Sequence, residues 1–498
     1  MPSGYIESAS AKGRLAGLQE NGGLEQEKMM TKKEFKRAMC CGLGRCILEL
    51  ETGKDKEAYR DIVLWGCTRA LAYDVQCEGT RGWYLYRLAR CFPDADYFVE
   101  QTIPHFYRSS DKAGWAFDQF CDFLGMFAGD ENRAARHALW ANYHRMYELL
   151  RSKRRRLSNG RLPLFENFEA LCIALVRIGV TREGAEAVFI RVVQDVGNLM
   201  LENPLLHTWS FDWFQACQEH EFGTSGIRRI LTRRAKESAG VAYYVAAMLR
   251  EQKGREAQSC ERREARANLT AREVWEKLRD GAETDRLFFV MQTRLMMRRG
   301  SADDVQKLAG LYRAERAPHL RARLLELFAN RDCADLLDAE TVILDAKSED
   351  CGLRDAAFRV LAHMHGEAVR RFALELWRHG ARPGDVIDML ANNYQAEDHD
   401  RLTALVRALP VTYRERDVSW HGAFLAILDL LERRGVKRPP KELLWYMYEH
   451  TLCSCCREYI LREMARRRML TKELLQECQY DCSEAVREYA FEKLRSMC

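Results

Sequence analysis

The stretch Asp350-Cys-Gly-Leu-Arg354-Asp-Ala-Ala-Phe-Arg-Val-Leu361 has a counterpart in Asp481-Cys-Ser-Glu-Ala-Val-Arg487-Glu-Tyr-Ala-Phe-Glu-Lys-Leu494. In both stretches an acidic residue starts a predicted helix, an arginine follows within two turns, and small and apolar residues lead to a leucine. Part of the pattern also surrounds Arg321 and Arg457, which lie 33 and 30 residues before Arg354 and Arg487. A recurrence at this interval indicates an array of repeated structural units.

The remainder of the chain also predicts helices. Its 498 residues include only 10 Pro and 31 Gly, and runs of alternating Val, Ile and Thr are few. From residue 31 onward the pattern is one of amphipathic helices joined by short turns, which makes consecutive helices antiparallel. We therefore predict an all-α chain, folded as a right-handed α-solenoid, a superhelix of stacked antiparallel helical hairpins.

The repeated residues resemble HEAT-like (armadillo-type) helical repeats, mainly over residues 301–498. In the short bacterial form of that family an Asp lies near the start of the first helix and an Arg on the second. The resemblance implies that Asp350, Arg354, Asp481 and Arg487 stabilise contacts between neighbouring repeats and do not bind a ligand. It also implies an extended concave surface for a partner.

Changes in composition predict four segments. Residues 1–30 are rich in Gly, Ser, Ala, Glu and Gln and read as a disordered leader or tag remnant. Residues 31–160 form an aromatic-rich helical lobe that ends in a basic stretch. Residues 161–300 form middle hairpins with basic clusters, and residues 301–498 form the HEAT-like repeats.

Charge and cysteine content narrow the classes of function and location. The net charge of +5 is too small to imply a polyanionic partner by itself. No stretch of about 18 uncharged apolar residues occurs, which predicts no membrane-spanning helix. The 18 cysteines are scattered through apolar helical faces without a secretory signal, so we predict a cytoplasmic protein with reduced thiols.

One candidate binding site lies in the aromatic-rich lobe. Asp74, Glu78 and Arg81 are spaced by four and three residues and share one face of an unbroken helix, with Trp83 close by. They are candidates for a polar pocket that binds a small molecule. Gly79, however, favours a helix end between them, and the same residues then form a capping and salt-bridge cluster.

Basic clusters make a second candidate binding surface. They include Arg154 and Arg155 in the first break, and Arg228, Arg229, Arg233 and Arg234 further on. Residues 226–300 contain 18 basic and 10 acidic residues. Such clusters suit a phosphate backbone if a solenoid aligns them on one face. They are otherwise solvated helix faces, with glutamates three or four residues away.

The cysteines Cys453, Cys456, Cys478 and Cys482 have a spacing that zinc sites use, although small residues that pack between helices explain them as well. The sequence contains no phosphate-binding glycine loop, no His-Glu-x-x-His and no Gly-x-Ser-x-Gly. We therefore assign no catalytic residue, metal or cofactor.

These observations favour a non-enzymatic scaffold that binds a protein or peptide partner on its concave face. The alternative is a HEAT-like nucleic-acid-binding protein that uses the arginine clusters around 151–156 and 228–299. The resemblance supports that alternative too, because some HEAT-like proteins, the alkylpurine DNA glycosylases among them, bind DNA and act on its bases.

Overall fold

A computed structural model of the chain describes residues 29–53, 55–74, 78–112, 114, 116–152, 163–182, 184–202, 212–250, 270–279, 302–329, 332–408, 418–432 and 441–497. The described residues form helices and connecting loops, with no β-strand among them. The chain divides into two compact units. The first unit combines residues 1–255 with 449–458 and 470–498, and the second combines residues 256–448 with 459–469.

The N-terminal part of the first unit contains twelve described α-helices. The twelfth, α12, covers residues 239–250. The first eleven helices are α1 (Lys32–Cys41), α2 (Arg45–Thr52), α3 (Arg60–Cys67), α4 (Gly82–Arg90), α5 (Asp96–Ser109), α6 (Ala116–Gly129), α7 (Arg133–Ser152), α8 (Pro163–Arg182), α9 (Ala185–Glu202), α10 (Asp212–Phe222) and α11 (Thr224–Arg234). A short 3₁₀ helix, Lys56–Tyr59, precedes α3.

The remaining described helices follow in order. They are α13 (Ala271–Arg279), α14 (Ala302–Ala314), α15 (Pro318–Phe328), α16 (Ala339–Ala346), α17 (Cys351–Leu361), α18 (Glu367–Arg378), α19 (Pro383–Asn392), α20 (His399–Ala408), α21 (Val418–Glu432), α22 (Lys441–His450), α23 (Ser454–Arg466), α24 (Lys472–Cys478) and α25 (Glu484–Met497), with a 3₁₀ turn at Ala396–Asp398. Helices α24 and α25 belong to the first unit.

Many helices contact the helix that lies two positions later in the chain. In the first unit α2, α4, α6, α8 and α10 form one such series, and α1, α3, α5, α7, α9 and α11 form another. In the second unit α13, α15, α17, α19 and α21 form a third. Contacts between consecutive helices, such as α6 with α7 and α16 with α17, join neighbouring members. The structure is therefore all-helical, with local helix packing of the kind that hairpins produce.

Local sequence signals start several of these helices. The Thr31 hydroxyl and the Glu34 carboxylate exchange hydrogen bonds with each other's backbone amides, which forms a capping box at the start of α1. Thr270 and Glu273 do the same before α13. Three prolines occupy the first position of α8, α15 and α19.

The helix cap predicted at Asp481 lies two residues later in the structure. Helix α25 begins at Glu484, and the Ser483 hydroxyl accepts the amide of Val486. Asp481 does not cap the helix because its carboxylate is paired with a buried arginine. The carboxylate accepts the Ser483 amide at 2.8 Å instead, so it supports the turn before the helix.

Apolar side chains from every described part of both units form the cores, and most of the described cysteines are buried with them. No described helix is both long enough and apolar enough to cross a membrane. The predicted segment boundaries at residues 160 and 300 lie outside the described residues.

Candidate functional site

The candidate functional site is the outer surface of α11 and the turn after it. The helix starts after Gly223, whose φ of 71° lets the chain enter the helix sharply. Ile227 and Ile230 are buried and fix which side of α11 faces the core. The other side carries two rows of residues at intervals of four, Thr224–Arg228–Thr232–Lys236 and Ser225–Arg229–Arg233–Glu237.

These eight residues line an open groove of about 770 Å³, which we call the α11 groove. It extends roughly 18 Å from Thr224 to Lys236, at about 1.5 Å per residue. One helix surface supplies all of its lining, so it suits an extended ligand and does not enclose a small one.

The cations of the α11 groove differ in whether they are already paired. Arg233 makes an ion pair with Glu186 of α9. Arg228, Arg229 and Lys236 are exposed, and none of them pairs with an acidic group of the described residues. The groove therefore presents three available positive charges.

The side chains that line the α11 groove favour ligand binding over catalysis. Arginine and lysine donate hydrogen bonds to carboxylates and phosphates, and the threonine and serine hydroxyls add neutral donors. The lining includes no histidine and no cysteine, and its single carboxylate, Glu237, is paired with Arg234 at 2.8 Å. A nucleophile with an adjacent base is thus missing from the lining residues.

The structure places four of the predicted basic residues, Arg228, Arg229, Arg233 and Arg234, on α11. Three of them line the groove, and Arg234 forms an ion pair with Glu237 next to it. Arg154 and Arg155 lie outside the described residues.

The predicted N-terminal site is a closed ionic cluster. The carboxylate of Glu78, whose side chain is fully buried, accepts the amide of Ser454 at 2.7 Å and that of Asp74 at 3.0 Å. Arg81 donates to that carboxylate at 3.1 Å and to the Leu452 carbonyl at 2.8 Å. Glu78 thereby caps the start of α23, as carboxylates do at helix N-termini.

Two guanidinium groups approach the ring of Trp83. The guanidinium of Arg487 stands 3.8 Å from the centre of its ring, and Arg87 approaches the same ring at 5.8 Å. The first is a cation–π contact between α25 and α4, and the second lies within α4. Arg487 therefore covers this half-buried ring.

A second buried pair continues the cluster. Arg457 and Asp481 have fully buried side chains and are joined at 2.7 Å. Together with Glu78 and Arg81 they form the buried ionic network, which contains two positive and two negative groups. The thiol of Cys482 contacts both arginines, and burial raises its pKa to about 12 although the arginines oppose that shift.

The arginines of the sequence repeats make one recurring contact. Arg354 donates to the carbonyl of Ser348, and Arg487 donates to the carbonyl of Asp481, in each case six residues earlier. Arg321 and Arg457 reach back by the same six residues, to the carbonyls of Glu315 and Thr451. Asp350 accepts the Leu353 amide and caps α17.

Two of these arginines also pair with an aspartate, and the sequence analysis identified neither pairing. Arg321 donates to Asp345 at 2.7 Å, as Arg457 does to Asp481, and both aspartates lie 24 residues after their arginine. Tyr312 completes the first site through a 2.6 Å bond to Asp345. The repeated interval of 24 residues is the signal that could have revealed them.

Two aspartic acids with altered ionisation were also missed. Burial raises the pKa of Asp118 on α6 and that of Asp388 on α19 to about 7 in each case. The neighbouring groups that add to the shift are carboxylates: Asp122 and Glu166 beside Asp118, and Asp385 and Asp429 beside Asp388. Asp118 and Asp122 are four residues apart and Asp385 and Asp388 three apart, and these same-face spacings are the signal that could have revealed them.

The four cysteines considered for zinc do not converge among the described residues. The thiols of Cys453 and Cys456 are hydrogen-bonded to each other. Cys478 is buried separately on α24, and Cys482 lies against two arginines, whose charge opposes a bound cation. No four-ligand zinc site forms from this set.

The sequence matches no protein-family model, and no curated protein is similar to it.

Proposed function

We propose that this chain is a non-enzymatic scaffold, an α-solenoid of HEAT-like repeats, and that it binds an acidic segment of a protein partner in the α11 groove. The observation that carries the proposal is the set of three exposed cations, Arg228, Arg229 and Lys236, which no described acidic group neutralises. The series of next-but-one helix contacts and the recurring arginine contacts support the repeat architecture.

The number of available charges favours a peptide over nucleic acid. Three cations neutralise about three phosphates, which gives a slope of log K against log[salt] near −2.7 for duplex DNA. Proteins that depend on the backbone contact several more phosphates. An extended peptide with three or four carboxylates over about 18 Å matches both the length and the charge of the groove.

Nucleic acid is the second candidate, and the Ser and Thr hydroxyls beside Arg228 and Arg229 are the specific observation in its favour. Such hydroxyls and arginines are common donors to phosphate oxygens. In this case the clusters around 151–156 and 228–299 would have to act together, so that many more than three charges take part.

The test is fluorescence anisotropy with the full chain and three labelled probes: an Asp/Glu-rich peptide, a matched Asn/Gln peptide and a 20-base-pair duplex. We expect the acidic peptide to bind and the neutral one not to bind. Arg228→Glu and Arg229→Glu should each weaken binding about tenfold, roughly 1.4 kcal/mol. Arg133→Glu, an exposed arginine on α7, should leave binding unchanged.

Two outcomes would count against the proposal. Equal binding of the two peptides would show that charge is not what the groove recognises. Tighter binding of the duplex, with a salt slope well beyond −3, would favour the nucleic-acid alternative.

A further inference from the structure

The start of α23 holds two thiols in direct contact. Cys453 immediately precedes the helix Ser454–Arg466, and Cys456 lies in its first turn. Their sulfur atoms lie within 4.8 Å of each other and share a hydrogen bond. Both residues are 3% exposed. A disulfide joins its sulfurs at about 2.05 Å, so the two thiols must move closer together to be joined.

The backbone around the pair is already held in place. The Cys453 carbonyl accepts the Arg457 amide and the Thr451 hydroxyl, each at 3.2 Å. The Ser454 amide donates to Glu78 at 2.7 Å. Two cysteines three residues apart at a helix start are therefore presented to each other by a fixed turn, which lowers the entropy lost when they are joined.

We propose that Cys453 and Cys456 form a reversible intrachain disulfide, with a peroxide as the oxidant. One thiolate attacks an oxygen of hydrogen peroxide, the O–O bond breaks, and a sulfenic acid and water form. The second thiol attacks the sulfenic sulfur, the S–O bond breaks, and a second water leaves. Two thiols lose two electrons and two protons in total, and one peroxide becomes two waters.

The surroundings of the two thiols suit a neutral product. A disulfide carries no charge and so adds none to a buried region that already holds the Glu78 carboxylate. The hydrogen bond to Cys453 and burial both raise the pKa of Cys456, so Cys456 suits the role of the second thiol, which attacks the sulfenic sulfur. The same burial makes a small oxidant necessary and the reaction slow.

The test is differential alkylation of the full-length reduced protein after treatment with hydrogen peroxide. Free thiols are blocked with a light maleimide in denaturant, the protein is reduced, and the released thiols receive a heavy maleimide. Trypsin cleavage after Lys441 and Arg457 yields one peptide that contains Cys453, Cys455 and Cys456. We expect heavy label on Cys453 and Cys456 and light label on Cys455. Reduction before the first step should restore three light labels.

Three variants serve as controls. Cys455→Ser should oxidise to the same extent as the wild type, whereas Cys453→Ser and Cys456→Ser should carry no heavy label in this peptide. Circular dichroism shows whether each variant is folded. Light label on all three cysteines of the treated wild type, or heavy label on Cys455 with either neighbour, would overturn the proposal.

Discussion

Arg457 and Asp481 have fully buried side chains, and two hydrogen bonds join them, from Nε to Oδ2 at 2.7 Å and from Nη2 to Oδ1 at 3.0 Å. Glu78 and Arg81 form a second buried pair nearby, so the charges of the buried ionic network cancel. A buried arginine without its carboxylate is costly, because the protein interior solvates charge poorly. The stability of the first unit should therefore depend strongly on each acidic partner.

We expect Asp481→Asn to lower the free energy of unfolding by about 3–5 kcal/mol, because it keeps the shape of the side chain and removes the charge that pairs with Arg457. Urea denaturation followed by circular dichroism measures the change. The control is Glu51→Gln, which removes a surface pair with Arg87 whose side chains are 36% and 38% exposed. It should cost less than about 1 kcal/mol. Equal losses in the two variants would show that Arg457 is not isolated from water.

Asp118 should make stability depend on pH with a definite sign. Its folded-state pKa of about 7 lies above the ordinary value of 3.8, so between these values the native state binds more protons than the unfolded state. Stability then falls as pH rises, by at most roughly 4 kcal/mol from this group. Asp118→Asn should remove this contribution, and the variant should gain stability relative to the wild type from pH 5 to pH 8.

Asp61→Asn is the control for that measurement, since Asp61 is exposed on α3. It shows what the same substitution does at an exposed position. Denaturation midpoints at four pH values give both curves. A difference between Asp118→Asn and the wild type that stays flat across this range would refute the assignment of a protonated Asp118.

Gly197 on α9 and Gly240 on α12 mark a close helix crossing. A Cβ atom on Gly197 would collide with the Gly240 carbonyl oxygen, and one on Gly240 would lie 2.6 Å from the Gln194 carbonyl oxygen. We expect Gly197→Ala to lower the thermal midpoint, with a loss of about 1–3 kcal/mol from overpacking. Gly125→Ala should instead be neutral or stabilise by up to about 1 kcal/mol, since its Cβ would meet only Ala174 at 3.8 Å. A thermal midpoint that shifts in the same direction in both variants would contradict a close helix crossing at Gly197.

Arg321 should not tolerate lysine. Its guanidinium donates to Asp345 and to the carbonyls of Tyr312 and Glu315, and one ammonium group cannot reproduce this set. We expect Arg321→Lys to cost about 1–3 kcal/mol in the second unit, measured as faster amide hydrogen exchange in α15 and α16. Arg313→Lys, which alters a bond within α14 only, should leave exchange as it is. Unchanged amide hydrogen exchange in both variants would mean that a positive charge at position 321 is enough to stabilise α15 and α16.

Features that depend on nearby residues could be predicted from the sequence. The helical class, the capping boxes at Thr31 and Thr270 and the pairing of Glu78 with Arg81 all follow from spacings of a few residues. The atoms that Glu78 and Arg81 also bind, the Ser454 amide and the Leu452 carbonyl, lie 376 and 371 residues away. Backbone groups have no sequence signature, and their positions depend on the packing of all intervening helices.

The α11 groove shows the same limit for charged residues. The sequence identified Arg228, Arg229, Arg233 and Arg234 as a cluster but could not distinguish paired from available cations. Glu186, which pairs with Arg233, lies on α9, 47 residues earlier. Only the packing of α9 on α11 determines that Arg233 is paired while Arg228 and Arg229 remain exposed.

The first unit contains residues from both early and late parts of the chain, and this arrangement constrains its synthesis. Arg45 on α2 pairs at 2.9 Å with Glu477 on α24, which the ribosome adds 432 residues later. At about 5–20 residues per second, roughly 20 to 90 seconds separate the two. During that interval the N-terminal helices exist without the partners of Glu78 and Arg81. The nascent protein must therefore keep a charged, incompletely folded surface from aggregating until translation of the last helices allows the unit to close.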